Sequence, residues 1–212
     1  MSVANPHPSL NPWFPPAPAG TPAPKAIRAV GIVGVGREAT GIAHWCATKG
    51  LGVILFDPEP GALAQAVTVI REHFKAAEDR GEITHPAAHK AVGGIGISTS
   101  LIDLEFCDLI IETHTEDADS KRARFAEFSK VLPKDLLLAT SASRAGLEEL
   151  AAVTAEPGRL VGLGFFEPVY ATPQIQVTIG PSTTRATAER VVGLVTTLGK
   201  TPVVHGAARP GA

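Results

Sequence analysis

The chain has 212 residues, 44% hydrophobic and 19% charged, which is enough apolar material to bury one sizeable core. Its 19 Lys and Arg against 21 Asp and Glu give a net charge of -2, which excludes a basic nucleic-acid surface and a polybasic membrane anchor. No apolar run approaches the roughly 18 residues of a membrane-spanning helix, and two cysteines exclude a disulfide framework or a Cys-rich zinc site. We therefore expect a soluble globular protein without nucleic-acid or membrane partners.

Residues 1–26 differ in composition from the rest, because they hold eight of the 18 prolines. Proline fixes φ and lacks an N–H, so such a stretch favours extended or disordered chain. We predict a disordered Pro-rich tail over 1–26 and one domain over 27–212. The tail has neither the apolar stretch of a secretory signal nor the arginines of a transit peptide, so a cytoplasmic protein is expected.

Short apolar runs alternate with helical segments along the domain. Strands are predicted at 29–33, 53–56, 95–98, 109–111, 136–139, 160–166, 175–179 and 202–204. Helices are predicted at 41–49, 62–80, 117–131, 147–153 and 184–198, with Gly81 capping the second. No element is predicted between residues 81 and 95. Buried strands separated by helices indicate an α/β fold with a doubly wound, mostly parallel sheet.

The first strand runs into Gly34-Val-Gly-Arg-Glu-Ala39, the G-x-G-x-x-A form of the dinucleotide fingerprint of Rossmann-type folds. The first glycine permits a tight turn, the second lets the backbone approach a pyrophosphate, and the alanine keeps the helix close to the strand. Asp57 ends the second strand, where a carboxylate accepts ribose hydroxyls and repels a 2′-phosphate, so NAD is favoured over NADP. Arg37 is either a solvated helix-start residue or a cation that weakens this preference. The predicted cofactor-binding residues here are Gly34, Val35, Gly36, Arg37, Glu38, Ala39 and Asp57.

Four further observations, taken together, identify a resemblance to the 3-hydroxyacyl-CoA dehydrogenase family. Gly31–Ala43 is similar to the family motif G-V-I-G-A-G-x-M-G-x-G-I-A, and Ile111–Lys121 is similar to I-E-A-V-x-E-x-x-x-x-K. Gly162–Pro168 is similar to G-L-H-F-F-N-P. Gly199–Val204 is similar to G-K-x-P-V-V, and Arg209–Gly211 is similar to the R-P-G-F that follows it. The resemblance implies NAD as cofactor, an acyl-CoA substrate, and oxidation of a 3-hydroxyacyl-CoA to a 3-oxoacyl-CoA.

The resemblance also assigns roles to residues after the fourth and fifth strands. The family contacts the nicotinamide-side ribose at the positions of Glu116 and Lys121, and the same loop contains Thr113 and His114. An alternative for Glu116 and Lys121 is an exposed charge pair at a helix start. Ser143 matches the serine that hydrogen-bonds substrate and cofactor and is the catalytic candidate, while Ser141 stands at the family's asparagine as a cofactor contact. The histidines lack the spacing of metal ligands, so no metal site is expected.

Two positions depart from the family's chemistry. The family uses a histidine base oriented by a glutamate, and these positions hold Gly164 and Gln176 here. A positioned base contributes about 10²- to 10⁴-fold, so we expect cofactor binding to be kept and the dehydrogenase reaction to be impaired. Two rescues stay open: Glu167 acts as a carboxylate base, or His114 reaches into the site. A further alternative is a non-catalytic NAD(H)-binding module that acts as a sensor or regulatory subunit.

A third departure concerns the acyl-CoA cleft. In the family, R-P-G-F leads into a helical domain that forms part of this cleft, whereas the present sequence ends at Ala212. A crevice with one wall buries substrate poorly and admits water. We therefore expect a protein partner to supply the missing wall if the chain is to act on acyl-CoA.

Overall fold

The computed structural model describes residues 25–114 and 117–206. Three segments singled out in the sequence lie outside the described residues: tail residues 1–24, Glu116, and the motif at 209–211. Within the described chain, Lys25 Nζ lies 3.0 Å from Asp108 Oδ1, and the Lys25 carbonyl accepts a hydrogen bond of 2.9 Å from Arg190 Nε. Contacts with the body of the domain are therefore already made at Lys25.

The described residues form one eight-stranded sheet with the order β3-β2-β1-β4-β5-β6-β7-β8. All neighbouring strands are parallel except β6 and β7. This arrangement confirms the predicted mostly parallel sheet. The strands are β1 Ala29–Val33, β2 Gly52–Phe56, β3 Ile95–Ser98, β4 Leu109–Glu112, β5 Leu137–Thr140, β6 Leu160–Phe165, β7 Gln174–Thr178 and β8 Thr201–His205.

Helices cover both faces of the sheet, which confirms the doubly wound α/β architecture. They are α1 Arg37–Thr48, α2 Pro60–Asp79, α3 His85–Gly93, α4 Ala118–Val131, α5 Arg144–Ala151 and α6 Arg185–Thr197, with short 3-10 turns at Leu101–Phe106 and Pro157–Arg159. Buried side chains of α1, α2, α3 and α6 join the core on one face, and those of α4, α5 and the first 3-10 turn join the core on the other. In the described part of the chain, no helix combines the length and apolar character that crossing a membrane requires.

Helix α3 is absent from the sequence-based prediction. Pro86 interrupts the helical pattern between His85 and His89, yet it occupies the first turn of α3, after Thr84 as N-cap. Proline is tolerated there because the first N–H groups of a helix have no intrahelical partner. The predicted cap of α2 is confirmed, since Gly81 has φ +71 and its N–H donates a hydrogen bond of 2.8 Å to the Glu78 carbonyl.

The strand order changes direction beside β1. The chain moves outward from β1 through β2 to β3, then crosses to β4 on the other side of β1. The two crossovers leave a crevice above the carboxyl ends of β1 and β4, which is where ligands bind in open α/β sheets. The predicted glycine turn, Asp57 and the loop after β4 all follow strands that end at this edge.

Candidate functional site

The two glycines of the turn after β1 differ in what surrounds them. Gly34 has φ +98, and a Cβ there would lie 2.8 Å from Thr113 Oγ1 and 2.9 Å from His114 Nδ1, so this glycine is required by conformation and by packing. Gly36 is the N-cap of α1 in an extended conformation, and no described atom would lie within 4 Å of its Cβ. Nothing inside the fold requires a glycine at position 36. Its open space fits the close approach of a pyrophosphate.

The rest of the turn places α1 against the sheet. Ala39 is fully buried, and the Thr40 N–H bonds to the Gly36 carbonyl at 3.0 Å, which starts the helix directly after the turn. Val35 is half-buried and Arg37 is exposed at the mouth of the turn. The N–H groups of the first turn of α1 therefore face the crevice, as expected for binding an anion.

Asp57 lies directly after β2 and is buried, with 8% of its surface exposed. Its Oδ1 accepts a hydrogen bond of 3.0 Å from the Glu59 N–H, which fixes the carboxylate. Its Oδ2 lies 3.9 Å from His114 Nε2. One carboxylate oxygen is thus used by the chain, and among the described residues no donor hydrogen-bonds the other. This geometry fits a ribose hydroxyl.

At the end of β4, the Glu112 side chain is fully buried and lies 3.0 Å from Lys121 Nζ. Its Oε2 also accepts a hydrogen bond of 2.7 Å from Thr140 Oγ1, and its Oε1 accepts one of 2.9 Å from the His114 N–H. Asp117 caps α4 through the N–H groups of the next turn, which holds Lys121 at this position. Glu112 was not among the predicted site residues.

Among the described residues, Lys121 therefore pairs with the buried carboxylate of Glu112 at the end of β4, and not with an exposed charge at the start of a helix. The Lys121 side chain is 14% exposed, so its interpretation as an exposed member of a surface pair is wrong. The sequence did carry a signal for Glu112, because a charged residue ends the apolar run Leu109–Ile111 and a buried charge requires a partner.

Carboxylates also meet at the first turn of α1. The pKa of Glu38 is raised, first by partial burial, then by the negative charges of Glu167 and Glu112, while the charge of Lys121 opposes the shift. Glu167 is exposed on the loop after β6 and lines the neighbouring cleft. The cofactor-binding candidate Glu38 thus lies within electrostatic range of the loop after β6 and of the end of β4.

The two serines after β5 lie at the start of α5. Ser143 is its N-cap, and Ser143 Oγ accepts a hydrogen bond of 3.2 Å from the Gly146 N–H. Ser141 is exposed one residue after β5. The hydroxyl of the catalytic candidate Ser143 therefore holds a helix end, and its own proton is still able to donate. Its role in the reaction stays a prediction.

The positions of the family's histidine and glutamate face each other across an antiparallel strand pair. Gly164 on β6 is in register with Gln176 on β7. A Cβ on Gly164 would lie 3.3 Å from Gln176 Cβ and 3.6 Å from its Oε1. The pair is thus adjacent in space, as a base and its orienting group must be, but the two side chains present here supply neither a base nor a carboxylate.

A cleft of about 530 Å³ lies beside the turn, between α1, α2 and the loop after β6. Its wall is formed in part by Gly36, Arg37, Gln65, His73, Glu167 and Tyr170. Lys200 holds the loop in place, because its Nζ donates a hydrogen bond of 2.6 Å to the Val169 carbonyl and another to the Thr172 carbonyl. The cleft is continuous with the turn through Gly36, so one ligand can extend from the crevice into it.

A buried imidazole backs this cleft. His44 is 5% exposed, neither of its ring nitrogens has a hydrogen-bond partner among the described residues, and its ring packs 4.4 Å from that of Phe74. Burial lowers the pKa of His44 to about 4, and the neighbouring His73 and Arg80 add to the shift. His44 is therefore neutral at neutral pH and packs as an aromatic side chain.

The structure brings most of the predicted cofactor residues to one edge of the sheet. Gly34, Thr113, His114 and Asp57 lie in one contiguous group. Lys121 lies beside it through Glu112 and the His114 backbone. Thr113 Oγ1 donates to the Val33 carbonyl at 3.0 Å and so ties the loop after β4 to β1. Glu116 lies outside the described residues.

Comparison with known proteins places this arrangement in a family. A family model described as the NAD-binding domain of 3-hydroxyacyl-CoA dehydrogenase matches residues 29–208. The chain is 33% identical over 174 residues to 3-hydroxybutyryl-CoA dehydrogenase of Bradyrhizobium diazoefficiens, covering 82% of the chain and 59% of that relative. It is 30% identical over 177 residues to 3-hydroxyadipyl-CoA dehydrogenase of Escherichia coli K12, covering 84% of the chain and 37% of that relative.

The solved structures agree. The crystal structure of 3-hydroxybutyryl-CoA dehydrogenase from Escherichia coli K12 superposes with a TM-score of 0.82 at 29% identity, covering 85% of this chain and 38% of that one. The chain thus spans well under two thirds of the length of these relatives. The chain belongs to the 3-hydroxyacyl-CoA dehydrogenase family, in which it forms the NAD-binding domain.

Proposed function

We propose that this chain binds NAD(H) in the crevice above β1 and β4 and that, alone, it catalyses 3-hydroxyacyl-CoA oxidation only slowly. Binding is supported by the open space at Gly36, the positive φ of Gly34 and the available Oδ2 of Asp57. The impaired reaction rests on one observation, the Gly164–Gln176 pair, which has neither an imidazole nor a carboxylate. Dinucleotide binding and proton transfer depend on different residues, so dinucleotide binding is retained although proton transfer is impaired.

The roles of the chain's residues follow from the crevice. When bound, NAD would supply the acceptor for the hydride that leaves C3 of the hydroxyacyl group. Backbone N–H groups at the start of α1 bind the pyrophosphate, and Asp57 binds the adenosine ribose. Lys121, held in place by the buried Glu112, and Ser141 line the nicotinamide side, where Ser143 orients the substrate hydroxyl. The proton of that hydroxyl needs an acceptor, for which the chain offers Glu167 in place of the family's histidine.

The acyl-CoA substrate occupies the 530 Å³ cleft beside Gly36 in this proposal. Tyr170 lines this cleft and is 39% exposed, and Phe166, next in sequence to the cleft residue Glu167, is 49% exposed. In this proposal the two side chains are the contact surface for another protein segment. A protein that packs on this rim supplies the second wall of the cleft and excludes water from it.

A second candidate function is a non-catalytic NAD(H)-binding module that reports the dinucleotide state. The same Gly164–Gln176 pair favours it, because cofactor contacts are independent of that pair. The two candidates differ in turnover. A sensor binds NADH and shows no oxidation of NADH with acetoacetyl-CoA, whereas an impaired enzyme shows slow oxidation that depends on Glu167.

The test restores the missing groups. Purified chain and the Gly164→His, Gln176→Glu and doubly substituted variants are assayed for acetoacetyl-CoA-dependent NADH oxidation, with NADH binding titrated in parallel. We expect the wild-type rate to lie at least a hundredfold below an ordinary turnover of about 10 per second, and the double variant to gain about 10²-fold or more. Wild-type turnover near the ordinary rate contradicts the impairment, and absent NADH binding contradicts the proposed function as a whole.

A further inference from the structure

The His114 ring lies directly on the first glycine of the turn. A Cβ on Gly34 would lie 2.9 Å from His114 Nδ1 and 3.0 Å from its Cε1. The backbone around the ring is fixed, because the Thr113 N–H bonds to the Val33 carbonyl at 3.0 Å and the His114 N–H bonds to Glu112 Oε1 at 2.9 Å. The imidazole is 26% exposed and therefore forms part of the crevice floor.

The neighbours of the ring determine which nitrogen carries the proton. Arg124 Nη1 is in hydrogen-bond contact with His114 Nδ1. A guanidinium only donates, so Nδ1 accepts and the proton of the neutral imidazole is on Nε2. Within residues 25–114 and 117–206, the charged groups that face the ring are Arg124, Asp57 and Glu112, whose Oε1 lies 4.0 Å from Nδ1. The nitrogen that carries the proton, Nε2, is the one that lies 3.9 Å from Asp57 Oδ2.

The gap between His114 and Asp57 has the size of one hydroxyl group. Nε2 and Oδ2 are 3.9 Å apart, beyond the 2.7–3.2 Å of a direct N–H···O bond. A hydroxyl oxygen at about 2.8 Å from each atom bridges them. A hydroxyl both donates and accepts, which matches a carboxylate oxygen and an N–H that have no hydrogen-bond partner in the part of the chain that the structure describes.

We propose that His114 and Asp57 together bind the 2′-hydroxyl of the adenosine ribose of NAD. Asp57 Oδ2 accepts its proton, and His114 Nε2–H donates to its oxygen. The inference rests on the proposed binding of NAD in this crevice. It moves His114 from the nicotinamide side, where the family resemblance places the loop, to the adenosine side. The matching position in the family motif is an apolar valine, so the second contact is a property of this chain.

The experiment is a double-mutant cycle between the side chain and the ligand hydroxyl. Dissociation constants for NADH, and for NADH lacking the 2′-hydroxyl on the adenosine ribose, are measured with wild type, His114→Leu and His114→Gln. Gln preserves an N–H donor near the position of Nε2, and Leu removes it. His89→Leu, on the exposed surface of α3, is the control for loss of an imidazole elsewhere.

We expect loss of the hydroxyl to weaken binding to wild type, His114→Gln and His89→Leu by at least threefold more than it weakens binding to His114→Leu. A difference below threefold overturns the proposal for His114 while leaving NADH binding intact. Absence of NADH binding to wild type overturns the proposed function itself, so the two failures are distinguishable.

A second measurement needs no substitution at His114. Nitrogen chemical shifts of the His114 ring in the NADH complex report its tautomer, and we expect the proton on Nε2. Arg124 acts as a positioning residue in this scheme, so Arg124→Met is expected to mix the two tautomers without removing the ring. A ring with its proton on Nδ1 in the wild-type complex overturns the proposal even if the Leu variant fails to fold.

Discussion

Lys121 and Glu112 form a buried ion pair at the floor of the crevice, with Nζ and Oε2 3.0 Å apart. Thr140 Oγ1 hydrogen-bonds both groups, at 2.7 Å to the carboxylate and 3.2 Å from the ammonium. The pair connects β4, β5 and α4 beneath the loop that carries Thr113 and His114. Removal of one charge is therefore expected to affect both stability and the shape of the cofactor site.

We expect Lys121→Met to lower the free energy of unfolding by about 3 kcal/mol, because it leaves the Glu112 carboxylate buried without its counter-charge. The double variant Glu112→Gln with Lys121→Met removes both charges and is expected to lose about 1 kcal/mol. Urea denaturation of the single and double variants measures both. Equal losses in the two proteins contradict the interpretation, since they mean that the unpaired charge carries no penalty.

Acid is expected to destabilise the domain through His44. Its folded-state pKa of about 4 lies below the ordinary histidine pKa of 6.5. As pH falls, the unfolded chain therefore binds the proton first, and the fold loses stability between these two values. The loss reaches about 3 kcal/mol near pH 4. Urea denaturation at pH 7.5 and pH 4.5 is compared for wild type and His44→Phe, which keeps an aromatic ring beside Phe74. We expect a flatter pH dependence in the variant, and parallel curves count against the assignment.

The two glycines of the turn are expected to respond differently to alanine. Gly36→Ala leaves the melting temperature within about 2 °C, because nothing described lies near the added Cβ, yet it weakens NADH binding on the order of tenfold by blocking the pyrophosphate. Gly34→Ala costs about 1–3 kcal/mol of stability, since φ +98 strains any side chain. Calorimetry and NADH titration separate the two effects. A Gly36→Ala protein that binds NADH normally places the pyrophosphate elsewhere.

Lys200 is expected to stabilise the cleft wall from beneath. Lys200→Met leaves the Val169 and Thr172 carbonyls without their shared donor, at a cost of about 2 kcal/mol. The side chain also crosses the Trp45 ring at 5.4 Å, a contact that methionine partly preserves. Lys90→Met on the exposed face of α3 is the matched control in a thermal unfolding experiment. Similar melting temperatures for the two variants contradict the anchoring role.

The sequence predicted strand positions closely wherever an apolar run has clear ends. The bounds of β1 and β3 agree with the prediction residue by residue, because Gly34 and Gly94 bound these runs. Helix α1 begins earlier than predicted, at Arg37 rather than Gly41. Its first turn, Arg37–Thr40, contains one apolar residue, the buried Ala39, so apolar periodicity is visible only from the second turn onward.

The site could be predicted where a short sequence motif defines a residue's role. It could be predicted less well where two residues that are distant in sequence contact each other. The glycine turn and Asp57 follow from spacing alone. The Glu112–Lys121 pair does not, because eight residues separate the two in sequence and they belong to different elements, β4 and α4. The His114–Asp57 relationship crosses from β4 to β2, which no local pattern reports.

Asp108 lies at the edge of the sheet opposite the crevice, where the amino end of β1 is located. Its carboxylate accepts hydrogen bonds from the Arg28 and Ala29 N–H groups and pairs with Lys25, which fixes the polypeptide at the amino end of β1. The crevice begins after Val33, about 16 Å further along the strand. A fluorescent reporter or an affinity handle attached at Lys25 therefore lies at the opposite end of β1 from the proposed dinucleotide site, which makes this position suitable for surface immobilisation in the titrations.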